Sequence, residues 1–319
     1  MTQSDAAPPA APLGRGIAPL AAEPAPQHLD EPLAGILIVL SSMVIFSISD
    51  ATTKYLSVEM SAIEIAWLRY VTFVALLLPL VLRQGRKSLV SSRPGLQLLR
   101  SLGLLGSSLF FIAGLHYLPI ADATVTTFIA PLITTALSIV FLGEKVGVRR
   151  WTALAVGLAG VVIVIRPGTG AFNPASILPI LSAISWSASM VITRRMAGAD
   201  GTLAMLAYSA GVGFVALSFM LPFAWTTPSP AALGLGVMVG VASSVGQWLV
   251  ILAYRRAAAS VLAPFSYTQL IWSTLSGILV FATVPDLYTV AGAAVIVASG
   301  LYTAHRERTV ARSRGARAA

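Results

Sequence analysis

The sequence predicts an all-α, polytopic membrane protein of ten transmembrane helices arranged as two inverted five-helix repeats, and three observations carry that prediction. Of 319 residues, 56% are hydrophobic and only 10% charged, with a mean hydropathy of +0.84; soluble domains carry about 25% charged residues. Apolar runs of span length recur at 33–57, 61–82, 96–117, 121–142, 148–166, 176–196, 201–223, 231–253, 259–281 and 286–304. A hydrocarbon core about 30 Å thick takes about 20 apolar helical residues. The chain also repeats itself. At an offset of about 138, Ala121, Leu132, Leu137 and Ser138 meet Ala259, Leu270, Leu275 and Ser276, and at about 140, Phe46, Ser47, Ser49, Thr53 and Lys54 meet Trp186, Ser187, Ser189, Thr193 and Arg194.

Taken in order, residues 1–32 are rich in Ala and Pro with only Arg15 as a basic residue, and read as a disordered cytoplasmic tail without the basic start and apolar core of a signal peptide. The first repeat occupies 33–167, the second 168–304, and a basic tail 305–319. Basic residues gather in alternate links: Arg83, Arg86, Lys87 and Arg93, then Lys145, Arg149 and Arg150, then Arg194 and Arg195, then Arg255 and Arg256, then the tail from Arg306 to Arg317. The intervening links SVEM, YLPI, RPGTGAFNP, TTPSP and VPD are nearly free of them. The positive-inside bias then puts both termini in the cytoplasm. Five spans per repeat make the second repeat enter from the opposite face, the arrangement expected of secondary transporters.

Several chemistries are excluded. The chain has no cysteine, and His28, His116 and His305 are far apart, so no metal site, thiol nucleophile or Ser-His-Asp triad is expected. The net charge of +9 reads as topology rather than nucleic-acid affinity, because no basic and aromatic residues interleave. RPGTG at 166–170 lacks the ending of a phosphate loop. No cofactor and no enzyme activity are expected. The partners implied are a small-molecule solute and the bilayer, with a homodimer admitted by the small residues Gly157, Gly160 and Gly292, which serve packing in the plainer reading.

Polar residues inside spans are costly and mark candidate sites. Asp50 lies about 10 Å deep in the first span at 1.5 Å per residue. Arg69 is at similar depth in the second, and Lys54 is one turn from Asp50. These three either form an ion pair that ties the first two spans together or carry gating or proton coupling. Glu64, close to the outer interface, reads chiefly as structural, with Lys54 as an available partner. Gln247 and Trp248, with Tyr267, Gln269 and Trp272, bring amides and rings into the later half, and Phe110 meets Trp248 at the 138-residue offset. Such a set suits the binding of a planar or amphipathic solute, although rings near helix ends also serve as interface anchors. Pro131 and Pro264 interrupt the ladder of the fourth and ninth spans. The serines at 41, 47, 49, 107, 108, 182, 185, 187 and 189 read chiefly as packing residues.

The stretch FIAPL, followed by LGEKVG, RRW and IRPG, and the later VPDLYTVAGAAVIVASGLY resemble the EamA-type families of the drug/metabolite transporter superfamily, over about 33–304. The resemblance implies a carrier of the bacterial inner membrane, with inverted repeats, that works by alternating access on a small organic metabolite. Within the superfamily the chain looks nearest to bacterial permeases for S-adenosylmethionine or riboflavin uptake, and amino-acid and metabolite exporters share the frame. At the first hairpin's Glu144 the second half departs from the pattern, with Ala282 near the equivalent place; Glu144 paired with Lys145 or Arg149 would be structural.

Overall fold

The computed structural model describes residues 31–85, 89–142, 148–196, 200–257 and 259–318. The expectations for the tail up to Asp30, for Arg86 and Lys87, and for Glu144 and Lys145 fall outside these residues. The described chain is helical, with no strand among the described residues. Its helices are α1 Pro32–Leu56, α2 Ala62–Gln84, α3 Pro94–Tyr117, α4 Ile120–Thr127, α5 Ala130–Leu142, α6 Val148–Ile165, α7 Ile177–Arg195, α8 Thr202–Met220, α9 Pro230–Arg256, α10 Ala259–Ser266, α11 Thr268–Phe281 and α12 Leu287–Ala318.

Among the described residues, seven stretches are long and apolar enough to cross a bilayer: Pro32–Leu56, Ala62–Gln84, Pro94–Tyr117, Ile120–Phe141, Pro174–Arg195, Thr202–Phe223 and Pro230–Arg256. Trp151–Ile165 and Leu287–Thr303 are shorter apolar helices. The run at 259–281 is split into α10 and α11, each too short to cross by itself.

Helix ends follow the local chemistry. Proline opens α1, α3 and α9, where its missing N–H costs no intrahelical bond. At α2 the Ser61 hydroxyl accepts from the Glu64 N–H while the Glu64 carboxylate accepts from the Ser61 N–H, a reciprocal capping box. Gly85 ends α2 at φ 77°, a left-handed conformation that costs glycine nothing. The α4–α5 break falls at Phe128 and Ile129, so that Pro131 sits in the first turn of α5; Pro264 lies in α10, three residues before the second break at Tyr267.

Packing joins distant parts of the chain. α1 lies on α9, α10 and α11; α3 on α7 and α8; α2 on α8 and α9; α5 on α7; α4 on α11; and α6 on α12. Serines tie these pairs together: Ser47 to Ser276, Ser49 to Ser243, and Ser107 to Ser182, at 2.9, 2.8 and 3.1 Å. Ser187 donates to the Ala130 carbonyl and Ser189 to the Arg100 carbonyl, each at 2.8 Å. α6 and α12 meet glycine to glycine, and a Cβ on Gly160 would stand 3.0 Å from the Gly292 carbonyl oxygen. The small residues of that seam are spent inside the chain.

Two carboxylate clasps hold opposite ends of the α2–α8 pair. At one end Glu59 accepts from the Ser229 N–H at 2.5 Å, and Glu64 accepts from the Thr226 N–H and hydroxyl, each at 2.7 Å. Glu64 therefore reaches the α8–α9 link and not Lys54. At the other end Asp200 accepts from the Ser91 and Ser92 hydroxyls, the Ser92 N–H and the Gln97 amide, at 2.5, 2.9, 2.8 and 2.7 Å. The Ser91 bond leads the donors that hold the Asp200 carboxyl well below the usual aspartate range. A carboxylate so depressed stabilises the fold fully above the ordinary aspartate pKa and loses that contribution as pH falls through its lower folded value. Asp200→Asn is accordingly expected to lower the thermal unfolding midpoint of detergent-solubilised protein at pH 7. Equal midpoints for variant and wild type at pH 7 would show that the clasp contributes nothing.

Candidate functional site

Asp50 stands in the last third of α1, where the helix turns its polar stripe inward with Ser47, Ser49 and Thr53. It is 8% exposed, and among the described residues its one hydrogen bond comes from the Gln269 amide, which donates to Oδ2 at 3.3 Å. Gln269 is in the first turn of α11, just past the Tyr267 break. A carboxylate this deep in an apolar bundle has lost its water, and one amide donor satisfies only part of its acceptor capacity.

Arg69 of α2 lies close enough to Asp50 to act on it electrostatically, without a direct ion pair among the described residues. The structure thus brings the two opposite charges toward one region but leaves a separation between them. Tyr70 follows on α2, wedged against Gly213 of α8 and within electrostatic range of both Arg69 and Arg100. Arg100 is tied down: it donates to Gln97, to the Met205 carbonyl and to Ser209. Tyr70 and Arg100 are members of this polar line that sequence reasoning misses, although Arg100 does interrupt the apolar run at 96–117.

Lys54 is placed elsewhere. Its ammonium donates to the Leu115 and Leu118 carbonyls at 2.8 and 2.6 Å, and stands 5.7 Å from the centre of the Phe281 ring. The last carbonyls of α3 lack intrahelical partners, and a cation there also opposes the negative helix end. The reach of the lysine stem past its own helix turn explains why neither Asp50 nor Glu64 receives it.

The aromatic set separates likewise. Trp272 of α11, half-buried one turn beyond Gln269, keeps its indole N–H buried and without a partner among the described residues. Tyr267 occupies the α10–α11 break, its ring 5.2 Å from that of Phe128 at the α4–α5 break, and its hydroxyl abuts Gly300. The two interrupted helices therefore touch at their interruptions. Gln247 and Phe110 are half-buried on α9 and α3, and make no hydrogen bond or ring contact with the Asp50 group among the described residues. Trp248 is a correction: it is 71% exposed and faces away from the interior, because it sits about 200° around α9 from Gly246, which packs on Phe46. A ring so placed cannot pair with Phe110 across a shared space.

A cleft of about 230 Å³ opens apart from this group, lined by Asp122, Thr126, Arg166 and Asn173 among others. There Arg166 pairs with Asp286 at 2.6 Å, and Thr289 donates to Asp122 at 2.7 Å, linking α4 and α6 to the start of α12. Among the described residues no group of His, Cys, Asp and Glu could hold a metal ion.

The EamA-like transporter family matches this chain twice, over residues 33–166 and 173–303. The chain belongs to that family. Among the relatives of this EamA-like protein is an S-adenosylmethionine uptake transporter of Rickettsia prowazekii, 33% identical over 277 residues that cover 86% of this chain and 94% of the relative. A riboflavin transporter of Vibrio cholerae is 30% identical over 295 residues, covering 88% and 98%. A pseudopaline exporter of Pseudomonas aeruginosa is 27% identical over 276 residues, covering 84% and 95%. A solved crystal structure superposes with a TM-score of 0.60 at 19% identity, covering 85% of this chain and 96% of that one, and so shares the fold. Family and apolar helices together make this a multi-pass membrane protein of the drug/metabolite transporter superfamily.

The placements of Lys54 and Trp248 separate structure from transport. Lys54→Gln is expected to lower the thermal unfolding midpoint by exposing the end of α3 to fraying. Trp248→Ala is expected to leave half-saturation for solute within about twofold of wild type, the range of a surface change remote from the site. A Lys54→Gln protein as stable as wild type would remove the capping role, and a Trp248→Ala protein that no longer saturates would return the ring to the site.

Proposed function

We propose that this EamA-like chain is a secondary carrier that moves a small organic metabolite across the bacterial inner membrane by alternating access, with S-adenosylmethionine as the first candidate solute. The observation that carries the proposal is the Asp50–Gln269 pair: a nearly buried carboxylate held by one amide, with the Trp272 indole N–H one turn further along α11 buried and without a partner among the described residues. A buried carboxylate calls for a cation, and the ring calls for a planar partner. S-adenosylmethionine offers both, a sulfonium with an α-ammonium and an adenine. The relative of Rickettsia prowazekii supports the same solute by its name.

Alternating access draws support from the arrangement. The family match falls once on each half. The two helix breaks lie about 138 residues apart, at Ile129 and Tyr267, and meet ring to ring in the bundle. Cross-packing of α1 on α9 mirrors that of α3 on α7, as it would for two five-span repeats entering from opposite faces. In this reading α4 with α5, and α10 with α11, are each one interrupted span, which brings the count to ten with both termini in the cytoplasm. Asp50 is exposed alternately to the two sides, and carries either the solute's cation or a proton.

Counterflow tests this. Proteoliposomes preloaded with unlabelled S-adenosylmethionine should accumulate the labelled solute transiently, and Asp50→Asn should reduce that accumulation by at least tenfold at unchanged folded yield. Wild-type counterflow of riboflavin but not of S-adenosylmethionine would move the solute to that of the Vibrio cholerae relative. Counterflow of neither, with saturable uptake absent, would overturn the carrier reading.

A further inference from the structure

We infer that Arg69, with Tyr70 beside it, is the carrier's carboxylate reader, so that the solute must be a zwitterion that spans from Asp50 to Arg69. The inference deepens the proposed function and rests on it.

Three observations converge on Arg69. It is carried by α2 within a stretch long enough to cross the bilayer, where a guanidinium is expensive and is ordinarily paired or hydrogen-bonded. Among the described residues it makes neither a hydrogen bond nor an ion pair; its neighbours act on it only through space. It is nonetheless half-buried rather than sealed. The contrast with the other arginine of the region is direct. Arg100 is buried and its donors are spent on Gln97, Met205 and Ser209, the pattern of a guanidinium that serves the fold.

The chemistry of an unspent guanidinium is narrow. Its planar fork presents donors in the spacing of a carboxylate and binds one in bidentate fashion better than any neutral group. Asp50 does not take that place, since its Oδ2 is held by Gln269 and no ion pair joins the two. Tyr70 follows within electrostatic range of the guanidinium, and its ring is fixed by the absence of a side chain at Gly213. Opposite charges that act on each other without pairing fit a ligand carrying the complementary pair, with its ammonium or sulfonium toward Asp50 and its carboxylate toward Arg69. The α-amino acid end of S-adenosylmethionine has this pattern, whereas a purely cationic amine lacks the anion. Specificity built this way rejects analogues strongly, because the site's own polar group is left unpaired when the matching group is missing.

The test uses S-adenosylmethionine and its decarboxylated analogue as competing solutes in counterflow, with wild type, Arg69→Gln and Arg69→Lys in proteoliposomes. Wild type is expected to prefer the carboxylated solute by at least tenfold. Arg69→Gln is expected to bring the two solutes within about threefold of each other, and Arg69→Lys to keep an intermediate preference because it retains the charge but not the fork. Phenylglyoxal modification of Arg69 in the wild type, read by mass spectrometry, should be slowed by S-adenosylmethionine and not by the analogue. If wild type discriminates and Arg69→Gln, or Arg69→Lys where the former does not fold, discriminates equally, the carboxylate reader is overturned while the carrier stands. Wild type that transports both solutes equally would also overturn it. Folded wild type that transports neither would remove the proposed solute and this inference with it.

Discussion

A carboxylate drawn into the middle of an apolar bundle is the constraint around which the rest of the molecule is arranged. In lipid every backbone polar group needs an internal partner, and helices supply it at no further cost; a side-chain charge has no such default. Asp50 is accepted because α1 is flanked by α11, whose first turn delivers the Gln269 amide at 3.3 Å, and because Arg69 lies within electrostatic range on α2. The amide can be there because the run at 259–281 is interrupted at Tyr267, which starts α11 at that depth. The break, the amide and the carboxylate are one arrangement.

Around that polar centre the frame is held by contacts that need no charge in lipid. Serine pairs join α1 to α9 and α11, and α3 to α7, at distances of 2.8 to 3.1 Å, each hydroxyl meeting a hydroxyl or carbonyl of the neighbouring helix. Gly160 and Gly292 let α6 and α12 approach backbone to backbone. The charged residues that serve structure work at the ends: Glu59 and Glu64 grip the α8–α9 link, Asp200 grips the start of α3, and Arg166 holds Asp286. Inside the bundle Arg100 is spent on Gln97, Met205 and Ser209, while Asp50 and Arg69 keep unspent capacity among the described residues.

Much of this is legible in the sequence, and the parts that are not have physical reasons. Apolar runs mark the helices closely because the bilayer admits little else, and α2 at Ala62–Gln84 lies almost where hydropathy puts it. Asp50 and Gln269 stand out singly against apolar neighbours, but 219 residues separate them and only the packing of α1 on α11 pairs them. Lys54 is misread because sequence spacing gives the neighbours on its own helix, while a four-carbon stem reaches carbonyls of another. Trp248 is misread because α9 is apolar on all sides, so that its period says which residues share a face but not which face turns inward. Asp200 carries no signal of its role in the sequence, because its donors Ser91, Ser92 and Gln97 lie more than 100 residues away. The prolines forecast both breaks, and the contact between Phe128 and Tyr267 follows only from the crossing of α4 and α11.

The central claim is that the space beside Gln269 is reached from both faces of the membrane in turn. Because the chain contains no cysteine, Gln269→Cys carries a single thiol, and its reaction with a membrane-impermeant maleimide can be followed separately in right-side-out and inverted vesicles. The account predicts labelling from each face, slowed in both by saturating S-adenosylmethionine. Labelling from one face alone, or from neither in folded protein, would contradict it.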